Sequence, residues 1–254
     1  MYIKVIGQGP DLVMLHGWSM HSAVWHDMAE VLAENFTLHL VDLPGHGLSD
    51  WQENALDLDV LLPHLAVEIP RQAYWLGWSL GGLISIAFTD KFPERVTKLI
   101  LVAATPCFVK NVDWPYAMEP EIFDTFADSL KDNQAETLQK FLILQARGST
   151  QSRHTIRQLA EKLASEQAPV KAALTAGLHL LVTTDMTRQL AKLTCPVKMI
   201  LGDCDSLIPA TMLMGAKQLQ PNLDTSVLTG AGHAPFISQP KQCQQAIESF
   251  INEQ

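Results

Sequence analysis

The chain has 254 residues, 47% of them hydrophobic, and a formal charge of −9. That length can bury one large core, while the negative charge disfavours nucleic acid as a general partner. No apolar stretch approaches the roughly 20 residues of a membrane span, so no membrane association is expected.

Residues 1–20 carry neither a basic n-region nor a small-residue cleavage site, so no secretory signal is expected. Cys107, Cys195, Cys204 and Cys243 are scattered without a C-x-x-C pair. That spacing argues against a zinc site or a disulfide framework and suits a reducing cytoplasm. Neither repeats nor low-complexity segments occur.

In chain order, Leu12-Val13-Met14-Leu15 reads as a short buried strand running into His16-Gly17-Trp18. Val24, Met28, Val31 and Leu32 follow at helical spacing. Phe36 to Val41 reads as a second strand and ends in the turn-rich Asp42-Leu43-Pro44-Gly45-His46-Gly47-Leu48-Ser49. Residues 55–69 read as helical despite Pro63. Ala73-Tyr74-Trp75-Leu76 is a third strand, and Leu83 to Phe88 begins a helix that Pro93 ends. Val96 to Val102 is a fourth strand. Strands alternating with helices predict a mostly parallel sheet covered by helices on both faces. Ligands of such sheets bind beyond the carboxyl ends of the strands, where His16, Asp42 and Ser79 all fall.

The rhythm changes after Thr105. Residues 119–131, 134–146, 152–165 and 169–181 read as amphipathic helices, with Ser149 or Thr150 as a cap for the third. Val197 to Leu201 and Thr225 to Leu228 then restore the sheet, and 240–252 is a last helix. The predicted organisation is a core of residues 1–106 and 190–254, with an all-helical cap at 107–189 over the active site. Such a cap would exclude water and shape a pocket.

The chemistry-bearing stretch is Gly77-Trp78-Ser79-Leu80-Gly81-Gly82. It fits the G-x-S-x-G nucleophile elbow, in which a strained strand-to-helix turn projects the serine hydroxyl clear of the sheet. A nucleophilic serine needs a base, and the base needs an orienting acid. Gly202-Asp203-Cys204-Asp205-Ser206-Leu207-Ile208-Pro209 and Gly230-Ala231-Gly232-His233-Ala234-Pro235-Phe236 follow the last two strands. They supply acid and base in the order Ser, Asp, His. His233 is the base. Asp205 and Asp203 compete for the acid, and Asp205 is favoured, with Asp203 as a cap of the loop. The oxyanion would meet the N–H of Leu80, after the nucleophile, and that of Trp18, in the loop after an earlier strand. Trp18 also suits a pocket wall.

Together, the His16-Gly17-Trp18, Asp42–Ser49, Gly77–Gly82 and Gly232-His233-Ala234-Pro235-Phe236 stretches resemble the α/β-hydrolase superfamily. More narrowly, G-W-S-L-G-G with H-A-P-F-I-S resembles the pimeloyl-acyl-carrier-protein methyl ester esterases of biotin biosynthesis. Supporting stretches are Leu38–Gly45, Trp75–Leu83 and Pro106-Cys107-Phe108. The resemblance implies an α/β-hydrolase fold and a serine carboxylesterase whose triad is Ser79, Asp205 and His233. It implies that Trp18, Leu80 and Phe141-Leu142-Ile143-Leu144-Gln145 line the acyl pocket beside Ser79 and His233. It further implies a cytoplasmic, monomeric enzyme with no metal or cofactor, whose partner is an acyl carrier protein bearing the ester. The family's basic cap residues carry over at Arg153 and Arg157. Lys140 stands for an arginine, and acidic Glu136 occupies another basic position.

Charge along the chain agrees with an anionic partner. Residues 140–171 hold Lys140, Arg147, Arg153, Arg157, Lys162 and Lys171 against Glu161 and Glu166, a net of +4 on a chain of −9. Lys140, Arg147, Arg153 and Arg157 are the expected docking residues. The same triad would also serve a general short-chain esterase or a carbon–carbon bond hydrolase. A dehalogenase would need an aspartate nucleophile, and a non-catalytic receptor on this fold would not need the triad.

Overall fold

The structure, a computed structural model, describes residues 1–253. Strands β1 (Tyr2–Gly7), β2 (Asp11–Leu15), β3 (Thr37–Asp42), β4 (Ala73–Trp78), β5 (Val96–Val102), β6 (Val197–Gly202) and β7 (Asp224–Leu228) form one sheet. Its order is β1-β3-β2-β4-β5-β6-β7. Every neighbouring pair is parallel except β1 with β3, which is antiparallel.

Helices α1 (His26–Leu32), α2 (Leu58–Glu68) and α3 (Leu80–Lys91) alternate with the first strands. Five more lie between β5 and β6: α4 (Pro120–Asp132), α5 (Gln134–Ala146), α6 (Ser152–Ala164), α7 (Lys171–Thr183) and the short α8 (Thr187–Leu190). After β6 come α9 (Met212–Leu219), the four-residue α10 (Pro235–Ser238) and α11 (Pro240–Asn252). Among the described residues, no helix is long and apolar enough to cross a membrane.

The central strands read as unbroken apolar runs because both of their faces are buried. Side chains alternate between two clusters with the strand period of two. Trp75, Leu99, Leu101 and Met199 pack with α2 and α3 on one face. Leu76, Ile100, Val102 and Ile200 pack with α1 and α11 on the other. Strand β1 has no such signal. It is an edge strand whose side chains are exposed or half-buried, and only its ladder with β3 defines it.

The expectation that Ser149 or Thr150 caps the third helix of the insertion is corrected. Gln151 precedes α6 without a side-chain cap bond, and both hydroxyls donate to the Gly230 carbonyl instead. A carbonyl brought in by tertiary packing takes the two hydroxyl protons, while the Ser149 oxygen accepts the Gln151 N–H at 3.2 Å in the turn before the helix.

The loop after β3 is fixed by buried polar groups. Asp42 accepts the Ser22 N–H at 2.7 Å and the Leu48 N–H at 2.9 Å. The His16 Nδ1–H donates to the Gly17 carbonyl, and its Nε2 accepts the Leu43 N–H at 3.0 Å. The His46 Nδ1–H donates to the Pro44 carbonyl, while its buried Nε2 has no partner among the described residues. Burial lowers the pKa of His16 well below its ordinary value and brings that of His46 down to about 4. Both rings are therefore neutral in the folded protein near pH 7.

This depression sets a pH dependence. Between pH 6.5 and about 4, the unfolded chain binds a proton at His46 that the folded chain refuses. Stability is thus fully present above pH 6.5 and declines by up to about 3 kcal/mol as pH falls toward 4. Urea midpoints measured across that window should fall steeply for the wild type and less steeply for His46→Asn.

Candidate active site

Three loops at the carboxyl end of the sheet meet at Ser79. The serine joins β4 to α3 at φ 53° and ψ −117°, a region that L-residues seldom occupy. Its N–H donates to the Val102 carbonyl, and its own carbonyl accepts the N–H groups of Gly82 and Leu83. The glycines of the elbow are required by packing. A Cβ on Gly77 would lie 2.4 Å from the Gly81 carbonyl oxygen, and one on Gly81 would lie 2.5 Å from that of Leu15.

The sequence-predicted base and acid converge on this serine. The Asp205 carboxylate accepts from His233 Nδ1 at 2.8 Å. That bond fixes the proton on Nδ1 and leaves Nε2 to accept from Ser79 Oγ at 3.0 Å. Asp205 Oδ1 accepts the N–H groups of Leu207 and Ile208 at 2.8 and 3.0 Å, so both carboxylate oxygens are bound and the group is locked. Asp203 lies apart from the imidazole; its Oδ1 accepts the Gly230 N–H at 2.7 Å and ties the two loops together. All three relay residues are buried. Such a relay can take a proton from a hydroxyl as oxygen attacks a carbonyl and return it to a leaving group.

Near the serine, Leu80 opens α3, so its N–H has no carbonyl one turn back to bond. Among the described residues the Trp18 N–H makes no backbone hydrogen bond either. These are the two amides expected at a developing oxyanion. The Trp18 ring is buried, donates from Nε1 to the Leu174 carbonyl at 2.8 Å, and meets Phe141 edge-on at 4.8 Å.

Ser79 and His233 open into a narrow cavity of about 30 Å³. Trp18, Phe123, Phe126, Phe141, Leu178 and Leu181 are among its walls. Among the described residues, no Asp, Glu, Lys or Arg lines it. Its walls are aromatic and aliphatic, which suits an apolar chain or a small neutral ester. A larger open groove of about 540 Å³ lies by Met1, Tyr2, Leu48 and Val67, away from the serine.

The run Phe141–Gln145, expected to line the pocket as a whole, is divided by helical geometry. Phe141 faces the cavity. Leu142 joins the cluster on the opposite face of the sheet, and Ile143 is 51% exposed. Leu144 packs against the first cluster. The Gln145 side chain is buried without a partner among the described residues, and the Gln145 backbone carbonyl accepts the His233 N–H. Five consecutive helical residues span more than one turn and cannot share a face.

Sequence reasoning missed two features. The Trp78 Nε1–H donates to the His233 carbonyl at 2.7 Å, which fastens the base loop to the elbow itself. Phe123 with Phe126, and Leu178 with Leu181, line the cavity from α4 and α7. Their i, i+3 spacing was the available signal.

The expected docking cations differ in their freedom. Lys140 pairs with Glu136 at 2.7 Å and Arg157 with Glu161 at 3.7 Å. Outside that set, Lys162 pairs with Asp27 at 2.8 Å. Arg147 and Arg153 are exposed and without a carboxylate partner among the described residues. Glu136 and Asp27 lie outside the +4 window, so the window overstates the charge free to act.

Comparison with known proteins extends the geometry. Residues 12–246 match a model described as the alpha/beta hydrolase family. A pimeloyl-[acyl-carrier protein] methyl ester esterase of Xylella fastidiosa strain M12 is 45% identical over 253 residues, covering 99% of this chain and 98% of that protein. The enzyme of that name from Aeromonas salmonicida is 41% identical over 250 residues, 98% of each. Among solved structures, an esterase from Exiguobacterium antarcticum superposes with a TM-score of 0.85 at 21% identity, covering 99% of this chain and 95% of that one. A bromoperoxidase from Bacillus anthracis gives 0.86 at 19%, with the same coverage. At those identities the superpositions speak for the fold alone. With the strand order, the elbow and the matched span in agreement, the chain belongs to the alpha/beta hydrolase family.

Proposed function

We propose that the chain is a cytoplasmic serine carboxylesterase that hydrolyses the methyl ester of pimeloyl-acyl carrier protein in biotin biosynthesis. The relay from Ser79 through His233 to Asp205, at the mouth of an apolar cavity, carries the chemistry. The substrate comes from full-length relatives at 41–45% identity that bear this name.

In this reading Ser79 Oγ attacks the ester carbonyl while His233 Nε2 takes its proton. The carbonyl oxygen becomes an oxyanion held by the Trp18 and Leu80 amides. Collapse expels methanol, which receives the proton from His233 and leaves an acyl-Ser79. His233 then takes a proton from water, the hydroxide attacks the acyl carbon, and Ser79 departs with that proton to release the acid. Asp205 keeps the imidazole in the Nδ1–H tautomer and stabilises its protonated form. Helices α4 to α7, within residues 107–189, act as the cap. They deliver Phe141 and its neighbours to the cavity and exclude water. Arg147 and Arg153, the expected docking cations without a carboxylate partner among the described residues, are the principal attraction for an anionic carrier; Lys140 and Arg157 contribute as their carboxylate partners yield.

The apolar cavity also suits small neutral esters, so a general short-chain esterase is the second reading. Turnover of pimeloyl-carrier methyl ester against nitrophenyl esters separates the two.

Three outcomes are expected. Ser79→Ala should leave the fold intact, by circular dichroism and thermal midpoint, and lower turnover by roughly 10⁴ to 10⁶. Near-native turnover with contaminating esterase excluded would remove Ser79 from the mechanism.

Asp205→Asn should lower kcat far more than Asp203→Asn, because an amide favours the wrong imidazole tautomer. Steady-state rates of both variants on one ester decide this, and the reverse ranking would transfer the role to Asp203.

Reversing two cap charges, Arg153→Glu with Arg157→Glu, should depress kcat/KM for the carrier substrate and spare a small free ester. Single exposed pairs are worth only about 0.2–1 kcal/mol, so two reversals are needed. The effect should shrink as salt is raised. Equal losses on both substrates would mean that the arginines only support the cap.

A further inference from the structure

The turn that leaves α5 grips the base loop more firmly than its place in the helical insertion requires. The buried Ser149 hydroxyl donates to the Gly230 carbonyl at 3.1 Å, the Thr150 N–H at 3.0 Å and the Thr150 hydroxyl at 3.2 Å. Three donors thus converge on one carbonyl, one more than its two lone pairs. Three residues on, the His233 N–H donates to the Gln145 carbonyl in the last turn of α5 at 2.9 Å. The same turn touches the acid loop. Gly148 has φ +82°, and a Cβ there would lie 2.9 Å from the Cys204 carbonyl oxygen, one residue before Asp205. The Ser206 hydroxyl donates to the Leu144 carbonyl on the far side of Asp205 at 3.4 Å.

The loop so held has little stiffness of its own. Gly230 takes φ +74°, Gly232 lies two residues later, and no helix or strand includes residues 229–234. From the sheet side it is tied by the Gly230 N–H to Asp203 and by its Ala231 carbonyl to the Cys204 N–H. From the opposite side the bonds come from Gln145, Ser149 and Thr150. An imidazole that must stand 2.8 Å from a carboxylate and 3.0 Å from a hydroxyl is sensitive to small shifts of its backbone.

We propose that Ser149 and Thr150 are positioning residues for the base. By pinning the Gly230 carbonyl they set where the His233 imidazole stands between Asp205 and Ser79. The helical insertion then completes the catalytic geometry as well as covering it. The proposal rests on His233 acting as the base.

The test compares Ser149→Ala/Thr150→Val with Ser149→Ala/Thr150→Ser. Both keep the Thr150 N–H bond, and they differ in whether residue 150 retains a hydroxyl. Each is assayed on p-nitrophenyl butyrate for kcat, KM and the pH profile of kcat/KM, with fluorophosphonate inactivation and the thermal midpoint alongside. The valine variant should lose roughly tenfold to a hundredfold in kcat with KM unchanged. Fluorophosphonate inactivation should slow by a similar factor, and the acid limb of the pH profile should move as the imidazole's contact with Asp205 loosens. The serine variant should recover part of the kcat, the rest being the share of the Ser149 hydroxyl that both variants lack.

A lower thermal midpoint with wild-type kcat and an unmoved acid limb would overturn the proposal, since the turn would then be a fastening only. A raised KM at unchanged kcat would also overturn it. If the double variants do not fold, Ser149→Ala alone is read by the same criteria. The outcomes stay separate from failure of the esterase reading. That reading fails if Ser79→Ala remains active, whereas the positioning role fails if Ser79→Ala is dead and the valine variant is fully active.

Discussion

Ser79 is held at φ 53°, where its Cβ crowds its own backbone, and the surroundings enforce this. Strain of this kind costs on the order of 1–3 kcal/mol and persists only where packing over-determines it. Here β4 lies between β2 and β5 in the middle of the sheet, and the Ser79 N–H is bound to the end of β5. The serine cannot relax without breaking the sheet or lifting α3 from it. The hydroxyl therefore stands at a fixed place beyond the strand ends, and every other part of the site is arranged to reach that place.

Two loops reach it through buried polar contacts, one after β2, beside β4, and one after β7, at the far edge of the sheet. On one side, neutral His16 bridges Gly17 and Leu43, while Asp42 gathers the N–H groups of Ser22 and Leu48. These bonds shape the stretch that carries Trp18. On the other side, the Trp78 indole holds the His233 carbonyl, and Asp203 and the 149–150 turn hold Gly230. In a medium of low dielectric such bonds are strong when complete and costly when broken. That asymmetry explains how loops without regular structure keep an imidazole within hydrogen-bond reach of two partners.

The surface charge follows a different logic. Six cations in residues 140–171 look like a patch when read along the chain. In space, Glu136 and Asp27 arrive from outside that stretch and pair with Lys140 and Lys162. Among the described residues, the cations of that stretch without a carboxylate partner are Arg147 beside the clasping turn, Arg153 at the start of α6, and Lys171, whose ammonium donates to the Lys131 carbonyl. A docking partner that draws on both arginines would bind next to the turn that touches the acid and base loops.

The sequence by itself determined the strands, because apolar runs of four to seven residues between turn signals leave little choice for a sheet buried on both faces. It also determined the order Ser79, Asp205, His233, since a strand-turn-helix elbow and two post-strand loops place these side chains at one sheet edge. It could not determine β1, an exposed edge strand defined only by its partner β3. Nor could it give the proton's place on His16, or which residues of 141–145 face the cavity. Tertiary structure decided those, together with the fate of the Ser149 and Thr150 hydroxyls. The reason is common to all of them. Hydrogen bonds, ladders and wall contacts between residues far apart in the chain depend on where packing brings a strand, a carbonyl or a ring, and no local pattern records that.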